Sequence, residues 1–167
     1  EVVVKTTPLT PGFEALWYGN HPLRFALLPA TFLYRLIAWI RREGYERGWL
    51  KAVEVAAPVI VVGNVSVGGT GKTPFVIWLA AQLASRGLRV GIVTRGYRGN
   101  STEWPRRVTA DADTAAVGDE PVLLARRTGC PVVAGPDRVA AAETLLEAGG
   151  VDVVLADDGL QHYRLGR

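Results

Sequence analysis

The sequence has no methionine and a single cysteine, Cys130, among its 167 residues. One thiol cannot close an internal disulfide, and such sparing use of cysteine fits a reducing compartment. Cys130 precedes Pro131 and a Val-Val pair, the setting of a buried strand edge rather than of a nucleophile. The two histidines, His21 and His162, lack metal-ligand companions at useful spacing, so neither is assigned a metal, and no zinc or redox-cysteine pattern exists. No apolar run reaches the roughly 20 residues of a spanning helix before a charge interrupts it. The first apolar stretch starts too late, and lacks the small-residue cleavage site, to be a signal peptide. No repeat or low-complexity tract is present. A net charge of +3 is too small to imply a nucleic-acid partner, and none is expected. The want of even an initiator methionine raises the expectation of a longer polypeptide.

What is there reads as two parts, a lead-in with one helix over residues 1–52 and an α/β domain over 53–167. Residues 1–20 are broken by Pro8, Pro11, Gly12 and Gly19. In the stretch that follows, a helical period brings Arg24, Thr31, Arg35 and Arg42 into one stripe. Phe32, Leu33, Leu36, Ile37, Trp39 and Ile40 fill the rest, and Pro29 suits the first turn. Two readings stand side by side for this amphipathic helix: a core helix with solvated arginines, or an interfacial anchor with Trp39 and the apolar face among lipid headgroups.

From Pro58 onward, apolar strands alternate with helices. PVIVVGN, LRVGIVTR, PVVAG and VDVVLADDG read as strands. TPFVIWLAAQLASRG, GDEPVLLARRTG and PDRVAAAETLLEAGG read as helices, the last with Pro136 in its first turn, and GYRGNSTEWPRR reads as a polar loop. Continuous apolar strands joined by helices predict an open, mostly parallel α/β sheet covered on both faces; the glycine-rich motif between its first strand and helix, at residues 66–73, makes it P-loop NTPase-like. Such a sheet ordinarily continues past the last of these strands, so it is expected to be incomplete here.

Four motifs carry chemistry. The first is Ser66-Val67-Gly68-Gly69-Thr70-Gly71-Lys72-Thr73, set between a strand and a helix. Its glycines allow successive N–H groups to surround phosphate oxygens at the positive end of the helix; Lys72 can reach the β- and γ-phosphates and Thr73 can ligate Mg²⁺. Ser66 stands where the usual pattern has glycine. The second, Asp157-Asp158, puts two carboxylates at the carboxyl end of a strand, the edge where α/β sheets bind ligands, and can hold Mg²⁺ directly or through water. The third, Gly118-Asp119-Glu120-Pro121, opens a helix: the acids either cap it and suit its dipole, or supply a base to the acceptor hydroxyl. The fourth is Thr94-Arg95-Gly96-Tyr97-Arg98-Gly99, where Arg95 and Arg98 can grip substrate phosphates and Tyr97 can stack on a sugar or base.

In order and spacing, NHPLRF, VVGNVSVGGTGKTP, TRGYRG, VGDEP and LADDGLQHYRL resemble the tetraacyldisaccharide 4′-kinase family, from about Trp17 onward. That family's proteins are about twice this length and carry a second α/β lobe. The resemblance implies transfer of the γ-phosphoryl of ATP, with Mg²⁺, to the 4′-hydroxyl of a lipid A disaccharide precursor. It also implies a peripheral position on the cytoplasmic face of the bacterial inner membrane through residues 23–47, which favours the anchoring reading; no protein partner is implied. By resemblance Lys72 and Thr73 bind phosphate and metal, and Asp119 matches the catalytic base, with Glu120 beside it at the substrate. Asp157 and Asp158 match the acidic pair near the metal, and Tyr97 matches a residue of the cleft. In the family the base works with a histidine of the second lobe. The rival is a P-loop switch or partitioning ATPase that binds a protein; such proteins often carry lysine where Val67 stands. A GTPase is disfavoured because Leu160 occupies the glycine position of Asp-x-x-Gly and no Asn-Lys-x-Asp occurs.

Overall fold

A computed structural model describes residues 28–63, 71–159 and 162–166. Ser66, Val67, Gly68, Gly69 and Thr70 of the glycine-rich motif, and Arg24 of the basic stripe, lie outside the described residues. The chain divides into two compact units, Glu1–Arg47 and Gly48–Arg167.

In the first unit, helix α1 spans Leu28–Glu46. Its apolar residues Phe32, Leu33, Leu36, Ile37, Trp39 and Ile40 are all exposed, Phe32 at 71%, and Gly44 is its one buried residue. Near its end Arg42 pairs with Glu46 at 2.7 Å and Arg47 with Glu43 at 2.6 Å, exposed i,i+4 contacts worth about 0.3–0.5 kcal/mol each.

The second unit alternates as expected: β1 (Val59–Val62), α2 (Lys72–Ala84), β2 (Val90–Thr94), β3 (Arg106–Val108), α3 (Thr114–Val117), α4 (Asp119–Thr128), β4 (Val132–Ala134), α5 (Arg138–Glu147) and β5 (Val153–Asp157). The sheet order is β1-β5-β2-β4-β3. The first four strands run parallel, and β3 pairs antiparallel with β4 at the edge.

Successive residues of a strand point to opposite faces, and both faces are used. Ile92, Val132, Val153 and Leu155 pack with Val76 and Ala80 of α2 and Val122 and Leu124 of α4. Val93, Val133, Val154 and Ala156 pack with Val139, Ala142 and Leu145 of α5. Two-sided burial is why these strands read as unbroken apolar runs. Gly91 permits the close approach of α5, since a Cβ there would lie 2.6 Å from Leu145 Cδ2.

Three elements depart from expectation, one of them α3, four residues long in a stretch for which the sequence predicts no element. The segment read as a loop through Arg107 ends in strand β3, which has two exposed arginines and one buried residue, Val108. A three-residue edge strand has too few inward positions to show a period. Pro136 does not enter the first turn of α5; Asp137 is the N-cap, its carboxylate accepting from the N–H groups of Val139 (3.0 Å) and Ala140 (3.4 Å).

Candidate active site

The site forms at the carboxyl edge of the sheet. β1 and β5 are neighbours in register Val62↔Asp157, so the acidic pair follows directly beside the strand that leads into the glycine-rich motif. Helix α2 begins at Lys72, after Gly71 in the left-handed region (φ 76°). Lys72 Nζ lies 2.7 Å from Asp158 Oδ1. This contact raises the lysine pKa and lowers that of Asp158, so both groups are held charged. One residue on, Thr73 Oγ1 donates to Glu120 Oε1 at 2.6 Å, tying the first turn of α2 to the first turn of α4. The structure therefore brings Lys72, Thr73, Glu120, Asp157 and Asp158 together.

Asp157 differs from its neighbour. It is 1% exposed, and its Oδ1 is buried without a hydrogen-bond partner. Burial first, then the negative charge of Glu120, push its pKa up to about 6, with Lys72 opposing the rise. A buried, unsatisfied carboxylate oxygen beside a hydroxyl and two further carboxylates is an oxygen-donor set that fits a hard cation such as Mg²⁺. Among the described residues no three His, Cys, Asp or Glu side chains form a group able to hold a metal by themselves. A Mg²⁺ site completed by phosphate oxygens needs only one or two carboxylates, so the two observations agree.

Asp119 is exposed, and its Oδ1 accepts from the Glu120 N–H at 3.0 Å. It also lines a cavity of about 470 Å³ with Thr73, Glu120, Leu123 and Arg126. A carboxylate at this helix start thus serves the helix end and still faces open space.

The loop after β2 reaches the same place. Gly118 (φ 92°) lies under the carbonyl of Tyr97: a Cβ there would stand 2.3 Å from that oxygen. Asn100 and Ser101 donate their N–H groups to the carbonyls of Ala115 and Ala116, fastening the loop to α3. Tyr97 is 60% exposed, and the Arg98 guanidinium lies 5.5 Å from its ring centroid. Arg95 is exposed, and its charge acts on both Asp158 and Arg138.

Arg138 was not singled out from the sequence. It is buried at the sheet's carboxyl edge, where it donates from Nη1 to the Gly135 carbonyl and from Nη2 to the Asp157 carbonyl. The sequence did hold a signal, because an arginine in a helix's first turn opposes the dipole and calls for a compensating partner.

A profile of the LpxK family, tetraacyldisaccharide-1-P 4′-kinase, matches residues 23–167. The chain is 63% identical over 155 residues to the tetraacyldisaccharide 4′-kinase of Alkalilimnicola ehrlichii, covering 92% of this chain and 46% of that protein. It is 52% identical over 154 residues to the enzyme of that name from Aeromonas salmonicida, with the same coverage. A crystal structure of LpxK from Aquifex aeolicus in complex with ATP superposes with a TM-score of 0.75 at 39% identity, covering 87% of this chain and 47% of that one. The chain spans about half the length of these relatives. Match, identity and fold agree: the chain belongs to the tetraacyldisaccharide-1-P 4′-kinase family.

Proposed function

We propose that this chain is the nucleotide-binding part of a kinase that moves the γ-phosphoryl of ATP to the 4′-hydroxyl of a tetraacyldisaccharide 1-phosphate in lipid A biosynthesis. The observation that carries the reading is the meeting of α2, α4 and β5 ends, where Lys72 contacts Asp158 and Thr73 contacts Glu120. Family membership supports the acceptor, and the ATP in the Aquifex aeolicus structure supports the donor.

In this reading residues 66–73 cradle the phosphates, and Lys72 leaves Asp158 for the β- and γ-oxygens, supplying charge where it develops. Thr73 and Asp157, with Asp158 or Glu120, would hold Mg²⁺, which when bound neutralises the phosphate oxygens. The contact with Thr73 favours Glu120 on this metal side rather than at the acceptor. Asp119 takes the proton of the acceptor hydroxyl as its oxygen bonds to the γ-phosphorus and the bond to the β–γ bridging oxygen breaks. Arg95, Tyr97 and Arg98 border the acceptor. Helix α1 lies on the cytoplasmic face of the inner membrane, supported by its exposed apolar face; no helix of the described residues is long and apolar enough to cross a membrane.

The test follows labelled phosphate from ATP in the full-length protein. Labelled disaccharide is expected, with loss of about 10²–10³-fold in Lys72→Ala. Free phosphate released without any lipid product would replace this reading with a switch or partitioning ATPase.

A further inference from the structure

Arg138 is the largest fully buried side chain among the described residues, at 2% exposure. Burial lowers its pKa to about 10, so it is still cationic at neutral pH. Placing a charge inside a small domain costs several kcal/mol unless it is paired, and packing alone is often served as well by an apolar residue. Its location accounts for the charge. Nη1 donates to the carbonyl of Gly135, one residue past β4, at 2.5 Å. Nη2 donates to the carbonyl of Asp157, the last residue of β5, at 3.4 Å. The guanidinium thus spans two strand ends that have β2 between them in the sheet. Two buried side-chain atoms among the described residues lack a hydrogen-bond partner, Arg138 Nε and Asp157 Oδ1, and they belong to residues already joined by this bond.

We propose that Arg138 is a positioning residue for the Asp157–Asp158 pair, clamping the end of β5 so that both carboxylates meet Mg²⁺ and Lys72 at fixed places. It is too buried to meet a solute, so it acts through the β5 backbone and its fixed charge. Asp158 has φ 55°, a conformation that a non-glycine residue holds only when its surroundings impose it. One arm of a planar guanidinium on the preceding carbonyl, with the other held at Gly135, is such a constraint. The inference rests on the nucleotide-binding reading of the site and is independent of the acceptor's identity.

The experiment measures ATP binding by calorimetry in the full-length protein across a Mg²⁺ series, with a parallel series in EDTA. Wild type is compared with Arg138→Gln and with Arg138→Lys, which keeps the charge and loses the two-armed fork. Removing a support behind metal-binding groups typically costs about 10–100-fold in metal affinity. The Mg²⁺ concentration for half-maximal ATP binding is therefore expected to rise by that factor in Arg138→Gln and by less in Arg138→Lys. Binding in EDTA is expected to change less than about twofold, because the phosphate-binding backbone and Lys72 are untouched. If Arg138→Gln does not fold, Arg138→Lys decides by the same comparison. A Mg²⁺ requirement equal to wild type in folded variant, whatever its melting temperature, overturns the proposal, as does an equal loss with and without Mg²⁺. A wild type that binds Mg·ATP but leaves the disaccharide unphosphorylated ends the acceptor assignment and leaves the Arg138 comparison intact.

Discussion

The two acidic pairs of the site are told apart by their surroundings, not by their residue types. Asp119 is exposed and beside a cavity, whereas Asp157 is sealed against the sheet. Asp119→Asn in the full-length enzyme is expected to lower kcat strongly and leave ATP affinity within a few-fold, since the base acts on the acceptor while affinity comes from the phosphate cradle. ATP affinity falling in step with kcat would make Asp119 a metal ligand or a cap instead. For Asp157 the folded pKa of about 6 lies above the ordinary carboxylate value. The folded state then holds more protons than the unfolded one between about pH 4 and 6, and stability falls as pH rises through that window. Asp157→Asn, free of this penalty, is expected to be more stable than wild type by about 1–3 kcal/mol at pH 7.5 without nucleotide or metal. The gap closes near pH 4. Denaturant melts at the two pH values check it, and equal midpoints at pH 7.5 would refute it. Lys72 and both acidic pairs could be singled out because the motifs that hold them are local in sequence. The Thr73–Glu120 contact and the burial of Arg138 could not, because each joins residues distant in sequence.

Among the elements, α1 was legible from its period, and its described part runs over Leu28–Glu46 within the stretch predicted. Arg35 and Arg42 share a stripe, and Phe32, Leu33, Leu36, Ile37, Trp39 and Ile40, which fill the rest of the helix surface, are exposed. Each basic residue near an anionic surface contributes about 1 kcal/mol. Attachment is therefore expected to be reversible, salt-sensitive and stronger on anionic than on neutral vesicles, and to weaken in a triple Arg24, Arg35, Arg42→Gln variant. Co-sedimentation measures it; equal binding to both lipids, unchanged by the triple substitution, would assign the helix to a protein core. The long helices α2, α4 and α5 were legible from their apolar faces and their glycine or acidic ends. β3 and α3 were not, having three and four residues and at most one buried side chain apiece.

At the scale of the whole molecule, the layered α/β plan was legible because burial on both faces writes itself into the sequence as apolar runs. Strand order was not, since β1, β2, β4 and β5 are all short and Val-rich and carry no label of their neighbours. Among the described residues β1 has β5 on one side only, and its own Ile60 and the nearby Phe75 are exposed. The 167-residue chain by itself is expected to bind ATP weakly at best and to phosphorylate no disaccharide, while a polypeptide of the relatives' full length does both. Labelled lipid accumulating with the purified shorter chain would refute this. The sheet order also bears on how the protein is made. The strand that leads into the phosphate cradle pairs with β5, the last in sequence of the described strands. At about 5–20 residues per second a ribosome needs several seconds to deliver that partner. Until then β1 lacks its one described neighbour, and Lys72 lacks Asp158. Closing so long a loop slows folding.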